Sequence, residues 1–134
     1  MNEAKIQQSL ANLGRALERL KEALDETPTN SLYIDGTIHR FEFCIELFWK
    51  TIKRLLSSEG IEATTPKECL KKAFEVRWID NEAAWLQMLR DRNETSHGYD
   101  EEIAKRIYHH IQANYPEMEK TYLFLLERFR HESE

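Results

Sequence analysis

The chain has 134 residues and 16.0 kDa, with 41% apolar, 10% aromatic and 32% charged residues, which is the make-up of one folded domain spanning residues 1–134. Four glycines and three prolines are too few for an all-β protein or for a glycine-rich phosphate cradle. A formal net charge of −5 makes the surface as a whole repel nucleic acid, so any contact with RNA has to be local.

Apolar residues recur at Ile6, Leu10, Leu13, Leu17, Leu20 and Leu24, in alternating steps of four and three. This spacing predicts an amphipathic helix that packs in an up-and-down bundle and stops near Thr27-Pro28. After a turn at Pro28-Thr29-Asn30-Ser31, the same periodicity runs through Ile38, Phe41, Ile45, Phe48, Trp49, Ile52, Leu55 and Leu56. Gly60 stands where that second helix needs a left-handed cap. Thr65-Pro66-Lys67-Glu68 reads as a capping box that opens a short third helix to about Arg77. Asp80 is the expected cap of a fourth, through Ala84, Trp85, Met88 and Leu89. Asp100 caps a fifth carrying Ile103, Ile107 and Ile111, and a sixth starts near Tyr115 with Met118, Tyr122, Leu125, Leu126 and Phe129. The expected fold is therefore all-α, a single helical bundle of about five to six helices around a four-helix core.

The N-terminal MNEAKIQQSL has no apolar signal region and no stretch approaches a membrane span, while Cys44 and Cys69 sit in apolar helical patterns. Two buried thiols in a reducing cytoplasm are the expectation. The aromatic set Phe41, Phe43, Phe48, Trp49, Trp78, Trp85 and Tyr122 reads as core and dimer interface rather than a base-stacking platform, and His109, His110 and His131 as surface residues. Lys50, Lys53 and Arg54, with Lys67, Lys71 and Lys72, are the local basic clusters that can guide RNA despite the net charge, although solubility is their plainer role.

No P-loop, dinucleotide fingerprint, H-E-x-x-H or C-x-x-C occurs. The paired aspartates of a nucleotidyltransferase are missing too, so this chain alone should not transfer nucleotides. What remains is the polar stretch Arg90 to Tyr99, containing Arg92, Asn93, Ser96, His97 and Tyr99. Cleaving RNA without a metal needs a near-neutral proton carrier and a fixed cation on the phosphate, roles that imidazole and guanidinium fill. A five-residue step on an unbroken helix sets Arg92 and His97 about 140° apart, so they converge only if the helix ends between them or two copies meet. By spacing alone the plainer reading is a solvated helix end, with Arg92 paired to Glu94 or Asp91.

Arg92-Asn93-Glu94-Thr95-Ser96-His97-Gly98-Tyr99 resembles the R-x4-H-x-Y signature of HEPN-domain toxins. Arg90 falls within a looser spacing, but the Asn after Arg92 favours Arg92. Arg40-Phe41-Glu42-Phe43-Cys44-Ile45-Glu46-Leu47-Phe48-Trp49-Lys50 looks like the second-helix signature of the nucleotidyltransferase substrate-binding branch of that superfamily.

The resemblance implies a HEPN-like bundle that commonly dimerises and a partner nucleotidyltransferase encoded separately. In one version the helical chain is a ribonuclease toxin: His97 is the acid or base, Arg92 holds the phosphate, Asn93 and Ser96 support them, and the partner silences the site by adenylylating Tyr99. In the other it is a non-catalytic subunit that binds substrate or nucleotide for the partner. Both place ATP and magnesium on the partner and no cofactor or metal on this chain. Glu42, Glu46 and Lys50 recur at four-residue steps on one helical face. By spacing they form a solvated stripe with a Glu46–Lys50 pair, whereas the resemblance sets Glu42 or Glu46 near the Arg–His site to orient the histidine.

Overall fold

A computed structural model of the chain describes residues 3–95 and 100–130. They form α1 (Glu3–Asp25), α2 (Ser31–Ser58), α3 (Pro66–Glu75), α4 (Glu82–Thr95) and α5 (Glu101–Arg128), and no strand occurs among the described residues. None of these helices is long and apolar enough to cross a membrane.

Side-chain bonds between helices fix their directions. The Arg40 guanidinium donates to the Arg19 carbonyl at 2.6 Å and the Cys44 thiol to the Ala16 carbonyl at 3.0 Å, so α1 and α2 are antiparallel. Tyr122 donates to the Leu10 carbonyl at 3.1 Å and Tyr115 to that of Leu17 at 3.4 Å, which makes α5 antiparallel to α1. Arg106 with Glu94, His110 with Asp91 and Asn114 with Gln87 run antiparallel along α4 and α5. The result is an up-down-up-down bundle of α1, α2, α4 and α5 in which α2 touches every other helix, and short α3 links α2 to α4.

The expected periodicity produces this core. Leu10, Leu13, Leu17 and Leu20 of α1 meet Phe41, Ile45, Phe48 and Ile52 of α2, and Ile107, Ile111 and Met118 of α5 close the layer, all of them buried. Phe48 packs edge-on against Trp85 of α4 with ring centroids 4.7 Å apart. Each such side chain contributes roughly 1.5–3 kcal/mol by leaving water. The aromatic set divides: Phe41, Phe48, Trp78 and Trp85 are core, Trp49 and Tyr122 are half-buried, and Phe43 is 58% exposed. Cys44 and Cys69 are free and buried, and burial pushes the Cys44 thiol up to about 12.

Helix ends follow local chemistry. Thr65 Oγ1 accepts from the Glu68 N–H at 3.1 Å while Glu68 reaches back to the Thr64 N–H at 2.9 Å, and Asp100 caps α5 through the Ile103 N–H at 2.9 Å. Gly60 has φ 80°, and the Ile61 N–H closes the end of α2 onto the Leu56 carbonyl at 2.9 Å. Arg77 makes the same turn at the end of α3 with φ 69°, and the Trp78 N–H bonds the Ala73 carbonyl at 2.8 Å.

Two sequence expectations need correction. The cap of α4 is Asn81, whose side chain accepts from the Ala84 N–H at 3.1 Å, while Asp80 instead pairs with Lys120 at 3.1 Å. The fifth and sixth helices are one: α5 runs through Pro116. A mid-helix proline costs about 3 kcal/mol. Here its ring lies on the exposed side of the helix, as does Gln112, whose carbonyl loses its partner to the proline. Buried Ile111, Tyr115 and Met118 keep both halves on one core face and offset the loss.

Candidate functional site

The last two turns of α4 face α2 on one side and α5 on the other, because consecutive helical residues are turned by about 100°. Arg92 faces α2, where its Nη2 donates to Glu46 Oε1. One turn on, the Thr95 hydroxyl donates to Glu42 Oε2. Arg92 Nη1 also donates to Asn93 Oδ1 at 3.2 Å, and Glu46 is shared with Lys50 at 3.6 Å. The Glu42–Glu46–Lys50 stripe of α2 is therefore turned toward the arginine, and the Glu46–Lys50 pair read from spacing is present beside it. Arg92 pairs with neither Glu94 nor Asp91, the partners that spacing alone allowed.

His39, Glu42, Phe43, Glu46, Arg92 and Asn93 line one open recess of about 520 Å³. A guanidinium held there by one carboxylate and one amide oxygen stays oriented yet partly exposed, which suits it to exchange the carboxylate for a phosphate oxygen. Sequence reasoning missed two of its features. His39 stands one helical turn before Phe43 and shares the stripe, and Thr95 stands one turn after Arg92, so the same periodicity contains both signals.

On the other side of α4, Asp91 is 4% exposed and His110 Nδ1 lies 3.0 and 3.1 Å from its two carboxylate oxygens. His110 is thus no plain surface residue, because it satisfies a buried carboxylate. Burial pushes the Asp91 carboxyl above its usual range, and the His110 hydrogen bond opposes that rise. The Glu94–Arg106 and Gln87–Asn114 bonds flank the pair along the same seam. No cluster of three or more metal-ligating side chains occurs among the described residues. Ser96, His97 and Tyr99, the remaining site residues expected from the sequence, lie outside the described residues, as does His131.

The family described as nucleotidyltransferase substrate binding protein like matches residues 8–127, nearly the whole chain. The chain belongs to that family. Among curated relatives of this substrate-binding-protein-like chain is a probable ribonuclease HepT of Haemophilus influenzae, 34% identical over 106 residues, which cover 75% of this chain and 70% of the relative. A crystal structure from Thermus thermophilus is similar with TM-score 0.73 and 30% identity, covering 89% of this chain and 99% of the other. A second solved structure, from Haemophilus influenzae, has TM-score 0.65 and 29% identity, covers 97% of this chain and 100% of its own, and is described as the fold of a substrate binding domain of a nucleotidyltransferase. The likeness first carried by Arg40–Lys50 and Arg92–Tyr99 thus extends over the bundle as a substrate-binding-protein-like fold.

Proposed function

We propose that this chain is the toxin of a two-component toxin–antitoxin pair, a metal-independent endoribonuclease restrained by a separately encoded minimal nucleotidyltransferase. The observation that carries the reading is Arg92, held by Glu46 in an open recess and five residues before His97 in the sequence. The name of the curated relative, a probable ribonuclease, supports it. In this mechanism the RNA 2′-oxygen attacks phosphorus, the P–O5′ bond breaks, and one proton leaves the 2′-hydroxyl while another reaches the departing O5′. His97 moves one of these protons. Arg92 stabilises the pentavalent phosphate, Asn93 fixes the guanidinium, Ser96 supports the histidine, and Glu42 and Glu46 hold the α4 end in register.

The partner uses ATP and magnesium to join AMP to the Tyr99 hydroxyl, with pyrophosphate leaving. The added phosphate then pairs with Arg92 and occludes the RNA site. The working form is a homodimer in the cytoplasm.

A second reading is a non-catalytic subunit that offers a substrate or nucleotide wall to the partner's active site. The description of the Haemophilus solved structure favours it. One experiment separates the two: RNA cleavage in EDTA by the pure chain, by His97→Ala, and by chain preincubated with the neighbouring nucleotidyltransferase, ATP and magnesium. Cleavage by the first sample alone, with AMP-sized mass added on Tyr99 in the third, is the expected result. Unmodified wild type that leaves RNA intact would instead make the binding subunit the better account.

A further inference from the structure

The outward face of α2 continues past the Arg92 recess into a second groove. Trp49, Lys50, Lys53, Arg54 and Ser57 line it, enclosing about 480 Å³. The two spaces are joined by the Glu46–Lys50 pair at 3.6 Å, since Glu46 lines the first and Lys50 the second. From Phe43 to Ser57 this face extends about 21 Å at the helical rise of 1.5 Å per residue.

Its charge runs against that of the molecule. The chain carries −5 overall, yet Lys50, Lys53, Arg54 and Arg92 face only Glu42 and Glu46 along this strip, a local excess of two positive charges. Glu46 is already shared by Arg92 and Lys50, and Lys53 and Arg54 have no carboxylate within ion-pair distance among the described residues. Cations left unpaired in an acidic protein are available to an external anion.

The same strip displays two aromatic rings of α2 that the core does not enclose, while exposed Tyr33 stands nearer the start of the helix. Phe43 is 58% exposed beside Arg92. Trp49 is half-buried, and its indole N–H is buried without an acceptor among the described residues, so the part of the side chain that meets solvent is carbon surface. Unpaired Lys53 and Arg54 beside the exposed ring surface of Trp49 and Phe43, on one helix face across two adjoining recesses, match the recognition of single-stranded nucleic acid. There phosphates are taken by Lys and Arg, and bases stack on rings.

We propose that the outward face of α2, from Phe43 to Ser57, is a single-stranded RNA subsite, with Lys50, Lys53 and Arg54 on the phosphates and Phe43 and Trp49 under the bases. It leads the strand to Arg92, and it rests on the ribonuclease reading for its substrate. Any sequence preference is weak, because neither phosphates nor ring faces distinguish bases.

The test uses a 12-nucleotide RNA methylated at every 2′-oxygen, which lacks the attacking hydroxyl and stays intact, titrated by fluorescence anisotropy at several salt concentrations. Each lost phosphate contact lowers the slope of log K against log salt by about 0.7 for a single strand. Lys53→Ala/Arg54→Ala should therefore weaken binding and flatten the slope by about 1.4. Phe43→Ala, at an exposed position that spares the core, should weaken binding about tenfold at every salt concentration without changing the slope. On cleavable RNA the double variant should raise KM and leave kcat within about twofold.

Unchanged affinity and slope in the double variant, while wild type still cleaves RNA, would overturn the subsite and leave the ribonuclease reading intact. Wild type that neither binds nor cleaves RNA would overturn both. Loss of self-association in Phe43→Ala or the double variant by sedimentation, with RNA affinity unchanged, would assign the face to a second copy of the chain instead.

Discussion

Asp91 and His110 meet across the α4–α5 seam, with one imidazole nitrogen 3.0 and 3.1 Å from the two carboxylate oxygens. Asp91 immediately precedes Arg92, so the bond that anchors α4 to α5 on one side presents the arginine to α2 on the other. Glu94 and Arg106 are the other charges that act on Asp91, the first raising and the second lowering its pKa.

Because burial raises the folded-state pKa of Asp91, the folded chain binds that proton more tightly than the unfolded chain. Its stabilising contribution is complete below the unfolded carboxylate value of about 3.9 and is lost as pH rises through the raised value. Asp91→Asn, which keeps an acceptor for His110, should therefore gain stability relative to wild type between about pH 4 and pH 7. Urea unfolding of both proteins at each pH measures the difference. A gap moving the other way would mean that pairing, not burial, dominates at this carboxyl.

Glu46 both orients Arg92 and competes for it. Under the ribonuclease reading, Glu46→Gln removes the competing charge, so KM for RNA should not rise. The guanidinium loses its fixed position, so kcat should fall several-fold. Arg92→Ala should lower kcat/KM by about a hundredfold or more, the scale of removing a transition-state charge partner. Steady-state cleavage of a short labelled RNA checks both.

Gly14 is required by a close approach. A β-carbon there would press on the Tyr122 hydroxyl and stand 3.0 Å from its Cζ, and that hydroxyl donates to the Leu10 carbonyl at 3.1 Å. Alanine in a helix is ordinarily better than glycine by about 1 kcal/mol. Gly14→Ala should nevertheless destabilise by about 1–2 kcal/mol, because the ring is displaced and its hydrogen bond lost. In a Tyr122→Phe background the same change should cost less, which equilibrium denaturation of the four proteins would show.

The left-handed turns at Gly60 and Arg77 do the same work with different residues. Arg77 is exposed and carries a β-carbon in a conformation that disfavours it, so Arg77→Gly should raise stability by about 1 kcal/mol. Gly60→Ala should lower it by a similar amount, since nothing crowds that position and only φ changes the balance. Thermal unfolding of the pair should shift the midpoint in opposite directions.

The sequence by itself determined the helices, most of their ends and the buried stripes. Apolar spacing near 3.6 residues, the Thr65–Glu68 box, Asp100 and Gly60 act within a turn or two of chain, and a single strand of sequence displays them. It also contained the Arg92 motif and the Glu42–Glu46–Lys50 stripe. Only tertiary structure decided which way that stripe faces: the α2–α4 packing turns Glu46 onto Arg92, 46 residues away. The same is true of Asp91 with His110, of α5 continuing through Pro116, and of Phe43 staying outside while Phe41 and Phe48 go in. Each depends on what a neighbouring helix offers at that height in the bundle, a long-range contact that periodicity within one helix does not encode.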